Sequence, residues 1–135
     1  MLPLNEDQIR TLTSAIDRIV PADDYPSASD LGCADFLLVL IASEGLSETY
    51  RAGLDGLNLE SQKLGQKFSD LTPEAQDSIL SLCEKRRVAA GWAVSPRKFF
   101  TLLARQTVEG YYADSGNGGN RGEVSWRMVG FEVRG

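Results

Sequence analysis

The sequence predicts an all-α fold, a single helical domain of about five helices followed by an extended glycine-rich C-terminal loop and tail. The chain has 135 residues, the usual size of one domain. Apolar residues recur at helical spacing, and capping residues or prolines precede the apolar segments. Only residues 123–133 alternate as a strand would, and they do so imperfectly. We therefore treat residues 1–135 as one domain, with the loop and tail at 113–135.

The first helix is predicted to begin at Asn5 and to stop before Pro21. Asn5 is a good N-cap, and Gln8 stands three residues later as the partner of a capping box. Leu4 against Ile9 forms a hydrophobic staple.

The second helix is predicted from about Leu31 to Ser43, with Gly45 ending it. It is apolar almost all round between Phe36 and Ala42. A helix with this pattern is normally buried, so we expect it to be the central, most buried helix.

The third helix is predicted from about Leu46 to Lys67. Gly53, Gly56 and Gly65 weaken it by about 1 kcal/mol each relative to alanine, so it depends on packing. Its apolar face comprises Tyr50, Leu54, Leu57, Leu64 and Phe68, with Ser61 filling one gap.

The fourth and fifth helices share one start signal, a capping residue followed by proline: Thr72–Pro73 and Ser95–Pro96. The fourth closes with the basic run 85–87, and the fifth ends near residues 110–112. The inward face of the fourth helix is expected to comprise Ala75, Ile79, Leu82 and Cys83. In the fifth helix one apolar face comprises Phe99, Leu102 and Leu103, and the adjacent face comprises Phe100, Thr107 and Tyr111.

Composition excludes several function classes. The net charge of −5 argues against nucleic acid as the main partner, because phosphate binding needs a basic surface. The chain has no histidine, which removes the commonest general base, the commonest metal ligand and c-type haem attachment. Cys33 and Cys83 both fall on apolar helical faces, so two buried free thiols are favoured over a disulfide.

Metal and membrane signals are weak. Asp23, Asp24, Asp30 and Asp35 do not match the spacing of a calcium loop, so they are interpreted as ordinary caps. No export signal is visible, and no apolar run reaches the ~18 residues needed to span a membrane.

The end of the chain is the candidate functional segment. Tyr111 and Tyr112 close the last helix, and a glycine- and asparagine-rich loop follows. This loop lacks the spacing of a phosphate-binding motif. Arginine and aromatic residues are those that most often carry binding energy at protein interfaces. The predicted partner-binding residues are Tyr111, Tyr112, Gly118, Gly119, Asn120, Arg121, Trp126, Arg127 and Phe131.

Two alternatives stay open for this segment. Its aromatic residues could simply cover the end of the helical bundle, with Asp114 capping the turn. Tyr112 with Asp114 could also move protons, which would make the chain an enzyme in its own right. A third class of function is a stand-alone sugar-binding protein with a ligand under the glycine loop.

Four blocks of the sequence carry a family resemblance. They are Ile19-Val20-Pro21-Ala22-Asp23-Asp24 with Gly32-Cys33-Ala34-Asp35-Phe36-Leu37, then Tyr50-Arg51-Ala52-Gly53-Leu54, then Phe68-Ser69-Asp70-Leu71-Thr72, and finally Glu109-Gly110-Tyr111-Tyr112 with Gly118-Gly119-Asn120-Arg121. In this order they resemble the small subunit of gluconate 2-dehydrogenase, subunit 3. The likeness covers nearly the whole chain.

The resemblance implies a non-catalytic small subunit of an FAD-dependent sugar or sugar-acid dehydrogenase. Such a subunit would support folding, stability or export of the large subunit, which would bind FAD and oxidise the substrate. The chain itself would hold no cofactor and no metal, and a cytochrome c subunit could belong to the same complex. The expected location is the periplasm where an export signal is removed or supplied by a partner, and otherwise the cytoplasm.

Overall fold

The computed structural model describes residues 2–22, 25–85, 87–88 and 91–112. In this part of the chain every regular element is helical, as the all-α prediction requires. The five α-helices are α1 (Glu6–Ile19), α2 (Cys33–Ser43), α3 (Ser47–Gln62), α4 (Pro73–Glu84) and α5 (Pro96–Tyr111). Short 3₁₀ turns at Ser29–Leu31 and Phe68–Asp70 precede α2 and α4. None of the described helices is both long and apolar enough to span a bilayer.

The predicted start of α1 is confirmed. The Asn5 side chain accepts a hydrogen bond from the backbone N–H of Gln8 at 2.7 Å, and the Gln8 side chain accepts one from the N–H of Asn5 at 3.0 Å. These bonds satisfy two donors that every helix N-terminus leaves free. Leu12 and Ile16 of this helix are fully buried.

Helix α2 differs from its prediction in two respects. It begins at Cys33 because Gly32 adopts a left-handed φ of 84°, which separates the 3₁₀ turn from the regular helix. The expectation that α2 is the most buried helix is wrong. Its buried side chains are Cys33, Leu37 and Ile41, one stripe at four-residue spacing, whereas Val39 is 70% exposed.

Helix α3 is continuous but shorter than predicted. It ends at Gln62, and Leu64, placed on its apolar face by the sequence, is exposed in the turn that follows. Two of its glycines are contact points. A Cβ on Gly53 would overlap the ring of Phe99, and one on Gly56 would overlap the ring of Trp92. The glycines therefore let α5 and the preceding segment approach α3 closely.

The starts of α4 and α5 follow the predicted pattern. Thr72 Oγ1 accepts from the N–H of Ala75 at 3.2 Å, and Ser95 Oγ accepts from the N–H of Lys98 at 3.3 Å. In each helix proline follows the cap, where its missing N–H costs no hydrogen bond.

One hydrophobic core joins all five helices. Its largest fully buried side chains are Leu12, Ile16, Leu37, Ile41, Tyr50, Leu54, Leu57, Phe68, Phe99, Leu103 and Tyr111.

Polar side chains fix the turn at Phe68. Its N–H donates to Asn58 at 2.9 Å, and its carbonyl accepts from Gln76 at 2.8 Å. These bonds close the connection between α3 and α4.

Candidate functional site at the end of α5

The end of α5 is where the described chain reaches the predicted partner-binding segment. The helix runs from Pro96 to Tyr111, and the N–H of Tyr112 donates to the carbonyl of Val108 at 3.1 Å. Tyr112 is therefore held by the last helical turn.

Close packing on α2 holds this end of α5. A Cβ on Gly110 would lie 2.6 Å from Cδ2 of Phe36, so only glycine leaves room for this ring. The thiol of Cys33 lies 3.9 Å from the carbonyl oxygen of Thr107, one helical turn earlier. Residues 74 positions apart in the sequence thus meet here, through the thiol contact of Cys33 and the ring contact of Phe36.

Tyr111 attaches the same helix end to the loop after α1. Its side chain is fully buried, and its hydroxyl donates to the carbonyl of Pro26 at 2.7 Å. The ring of Tyr112 meets it edge to face at 5.2 Å between centroids, a favourable geometry for two aromatic rings. Tyr112 itself is half-buried.

The loop that receives Tyr111 is ordered by local hydrogen bonds. The N–H of Ala28 donates to the carbonyl of Val20 at 3.0 Å. The carboxylate of Asp17 accepts from both the N–H and the hydroxyl of Ser29, at 2.8 and 2.6 Å. On the C-terminal side of Pro26, the backbone that carries this carbonyl is therefore held to the end of α1.

Among the predicted partner-binding residues, the structure describes Tyr111 and Tyr112 and brings them together. Gly118, Gly119, Asn120, Arg121, Trp126, Arg127 and Phe131 lie outside the described residues, as does the strand-like segment 123–133. Because the Tyr111 side chain has no exposed surface, its direct contacts lie within this chain. The interface assignment of all nine residues stays a prediction.

The two buried thiols and the Tyr50 hydroxyl are held in their neutral forms. Burial raises the pKa of both Cys33 and Cys83 to about 12, with Asp17 adding to the shift of the former and Glu60 to that of the latter. Burial also raises the pKa of Tyr50, whose hydroxyl donates to Gln106 at 2.6 Å. Both cysteines are free and buried, as the sequence predicted. Since a thiolate is the reactive form, neither thiol is an activated nucleophile.

The aspartates of the loop have structural partners where they are described. Asp30 Oδ2 accepts from the N–H of Ser27, and the Ser27 hydroxyl accepts from the N–H of Asp30, each at 3.2 Å. Asp23 and Asp24 lie outside the described residues. The described residues contain no group of three potential ligands placed to hold a metal.

An open depression of about 470 Å³ lies beside Trp92, lined mainly by residues 91–96 and Val88. The indole N–H of Trp92 donates to the buried carboxylate of Glu60 at 3.3 Å, so this group is already engaged. Ligand sites usually gather several polar groups around a mostly apolar cavity. Ser95 is the one hydroxyl residue in this lining.

Sequence reasoning did not foresee the roles of Phe36, Gly110 and Pro26 around the α5 terminus. Gly110 was the available signal, because a glycine inside a helical pattern, directly before two tyrosines, usually has a packing reason. Its partner could not be identified from spacing alone, since Phe36 belongs to a different helix.

Comparison with known proteins identifies the family. The sequence model of the family described as Gluconate 2-dehydrogenase subunit 3 matches residues 6–133. Searches of curated proteins and of solved structures gave no match. The matched range contains all five helices together with most of the C-terminal segment. The chain therefore belongs to the gluconate 2-dehydrogenase subunit 3 family, whose description makes it one subunit of a dehydrogenase complex.

Proposed function

We propose that this chain is a non-catalytic accessory subunit of an FAD-dependent sugar or sugar-acid dehydrogenase. In this role it supports folding, stability or export of the large subunit, which binds FAD and oxidises the substrate. The observation that carries the proposal is the family match over residues 6–133. A cytochrome c subunit in the same complex would accept the electrons. The complex would be periplasmic where an export signal is supplied, and otherwise cytoplasmic.

The described geometry supports an accessory role. The thiols and the Tyr50 and Tyr111 hydroxyls lie in the core, and both hydroxyls donate to partners within the chain. These groups stabilise the bundle and hold its end. We propose that the Tyr111–Pro26 bond and the Phe36–Gly110 contact position the end of α5, after which the predicted partner-binding residues follow in the sequence.

Co-expression with the FAD-binding subunit of the same dehydrogenase tests the proposal. We expect the chain to raise the yield of soluble, FAD-loaded large subunit and to co-purify with it, as measured by visible flavin absorbance in the purified fraction. An unchanged yield without co-purification would contradict the accessory role. Turnover of sugars by the isolated chain, lost on Tyr112→Phe, would support the catalytic alternative instead.

Charge reversal at Arg121 tests whether this residue contributes to the interface. Arginine is among the residues enriched at interface hot spots, so Arg121→Glu should weaken the complex by roughly tenfold or more. Arg97→Glu is the matched control. Arg97 is exposed in the first turn of α5, about 20 Å along the helix from Tyr112 by the rise of 1.5 Å per residue. Equal affinities of the two variants, measured by biolayer interferometry, would remove Arg121 from the interface.

A further inference from the structure

Glu60 is the one Asp, Glu, Lys or Arg side chain that the described part of the bundle buries, with 5% of its surface exposed. An ionised carboxylate in a protein interior loses its hydration, so this burial is costly unless hydrogen-bond donors replace the water. Helix formation does not require a carboxylate at this position, because methionine and glutamine form helices about equally well. The role of Glu60 therefore depends on the groups that it contacts.

Both carboxylate oxygens of Glu60 accept hydrogen bonds. Lys63 Nζ, just beyond the end of α3, lies 3.0 Å from Oε1, and the lysine side chain is exposed to solvent. The indole N–H of Trp92 donates to Oε2 at 3.3 Å. Lys63 follows Glu60 by three residues, whereas Trp92 lies 32 residues away in the segment that leads into α5. Of these two bonds, the one to Trp92 joins distant parts of the chain.

The Trp92 ring packs on the backbone of α3. A Cβ on Gly56, about one turn before Glu60, would overlap the ring. The ring also lies 6.5 Å from that of Phe99, with the two planes tilted by 53°. Apolar contacts stabilise a ring without fixing its direction, whereas a hydrogen bond requires the donor to point at its acceptor. The Glu60 carboxylate therefore adds a directional contact to a ring that otherwise packs on backbone and on another ring.

We propose that Glu60 is a positioning residue, whose carboxylate selects one orientation of Trp92 and thereby one position of residues 91–95 against α3. In some proteins a buried charged group specifies one arrangement of the chain, even where apolar residues in its place would be no less stable. Glu60 fits this description, because it is buried and its contact with Trp92 joins α3 to the segment before α5.

The same contact should determine where α5 begins. Ser95 is the N-cap of this helix and follows Trp92 by three residues. Its hydroxyl accepts from the N–H of Lys98 at 3.3 Å, and its carbonyl accepts from the N–H of Phe99 at 2.9 Å. Because Ser95 belongs to the segment that Trp92 holds, release of Trp92 should loosen both of these bonds.

Two substitutions of similar length separate this role from simple packing. Glu60→Met removes both acceptor oxygens, whereas Glu60→Gln keeps one for the indole N–H. The chain has two tryptophans, so Trp126→Phe in every variant leaves Trp92 as the only source of tryptophan fluorescence. In this background Glu60→Met should shift the Trp92 emission to longer wavelength and raise its quenching by acrylamide. Glu60→Gln should keep both close to those of the unsubstituted chain.

Amide hydrogen exchange measures the start of α5. Glu60→Met should speed exchange at the N–H groups of Lys98 and Phe99 by about tenfold, the size expected when a hydrogen bond to a charged group is lost. The N–H of Gln8, which is bonded at the opposite end of the sequence in the first turn of α1, should exchange at an unchanged rate.

Gln76→Met is the matched control. Gln76 is also a buried polar side chain, and it donates to the carbonyl of Phe68 at 2.8 Å in the connection before α4. Its replacement removes a buried hydrogen bond elsewhere in the core. It should therefore leave the Trp92 fluorescence and the exchange at Phe99 unaltered.

The proposal is overturned if folded Glu60→Met, checked by circular dichroism, keeps the original Trp92 quenching and Phe99 exchange, because packing alone would then position the segment. It is also overturned if Glu60→Gln releases Trp92 as much as Glu60→Met does. Where Glu60→Met does not fold, Trp92→Phe removes the donor and retains an aromatic ring. Exchange at Phe99 should then be faster, and an unchanged rate would count against the role of Glu60.

Discussion

Tyr111 shows how one side chain connects distant segments. Its ring fills the core at the end of α5, and its hydroxyl reaches the loop between α1 and α2 to bind the carbonyl of Pro26. Buried carbonyl groups need a donor, because leaving one without a partner costs about 1–3 kcal/mol. The tyrosine at this position therefore combines packing with hydrogen bonding in a way that phenylalanine cannot reproduce.

Replacing Tyr111 with phenylalanine should lower the free energy of unfolding by about 1–2 kcal/mol, measured by urea denaturation. It should also speed amide hydrogen exchange at Ala28, whose N–H bonds Val20 in the same loop. Tyr50→Phe is the matched control, since it removes an equally buried hydroxyl bonded to Gln106. The control should reduce stability without selectively loosening the loop. Similar exchange at Ala28 in both variants would argue against the anchoring role.

At the scale of elements, two glycines of α3 allow neighbouring aromatic rings to pack directly on its backbone. In isolation Gly53 and Gly56 weaken a helix, and the sequence alone suggests a fragile α3. In the fold the rings of Phe99 and Trp92 occupy the space that a Cβ would need. The packing gained at these two positions explains why α3 runs without interruption from Ser47 to Gln62.

Gly53→Ala should therefore destabilise the protein by about 1–3 kcal/mol, although alanine is the better helix former. The reason is overlap of the new methyl group with the Phe99 ring. A double-mutant cycle with Phe99→Leu provides the control, because the smaller side chain should accept the methyl group and reduce the cost of Gly53→Ala. A stabilising effect of Gly53→Ala in the unmodified background would contradict the close approach.

The capped starts of α1, α4 and α5 could be predicted from sequence, and the surroundings of the helices could not. Asn5 with Gln8, Thr72 with Pro73 and Ser95 with Pro96 act within one helical turn, so their sequence signals are sufficient. The exposure of Val39 depends on which elements pack on α2. The same holds for the candidate site. Its place at the end of α5 was predicted from the local glycine and tyrosines, whereas its contacts with Pro26 and Phe36 involve other elements and could not be predicted.

At the scale of the whole molecule, burial couples stability to pH through the two thiols. Their pKa values are about 12 in the fold against a reference of 9.0, so folding favours the protonated form. A raised pKa contributes stability that is fully present below the unfolded value and is lost as pH rises toward the folded one. The contribution should therefore decline between about pH 9 and pH 12.

Urea unfolding across this alkaline range measures the effect. The free energy of unfolding should fall as pH increases, and the slope should be smaller in a Cys33→Ala, Cys83→Ala double variant, which lacks both titrating thiols. Tyr50 contributes in the same direction, because burial raises its pKa as well, so the double variant should retain part of the slope. Identical slopes in the two proteins would show that the thiols are not protected in the native state.

The separate burial of Cys33 in α2 and Cys83 in α4 also affects how the fold is acquired. No disulfide bond between them has to form for the helices to assemble, so the described bundle needs no oxidant or disulfide isomerase to reach its native state. Glutathione or dithiothreitol in the refolding buffer should leave both the rate and the yield unchanged.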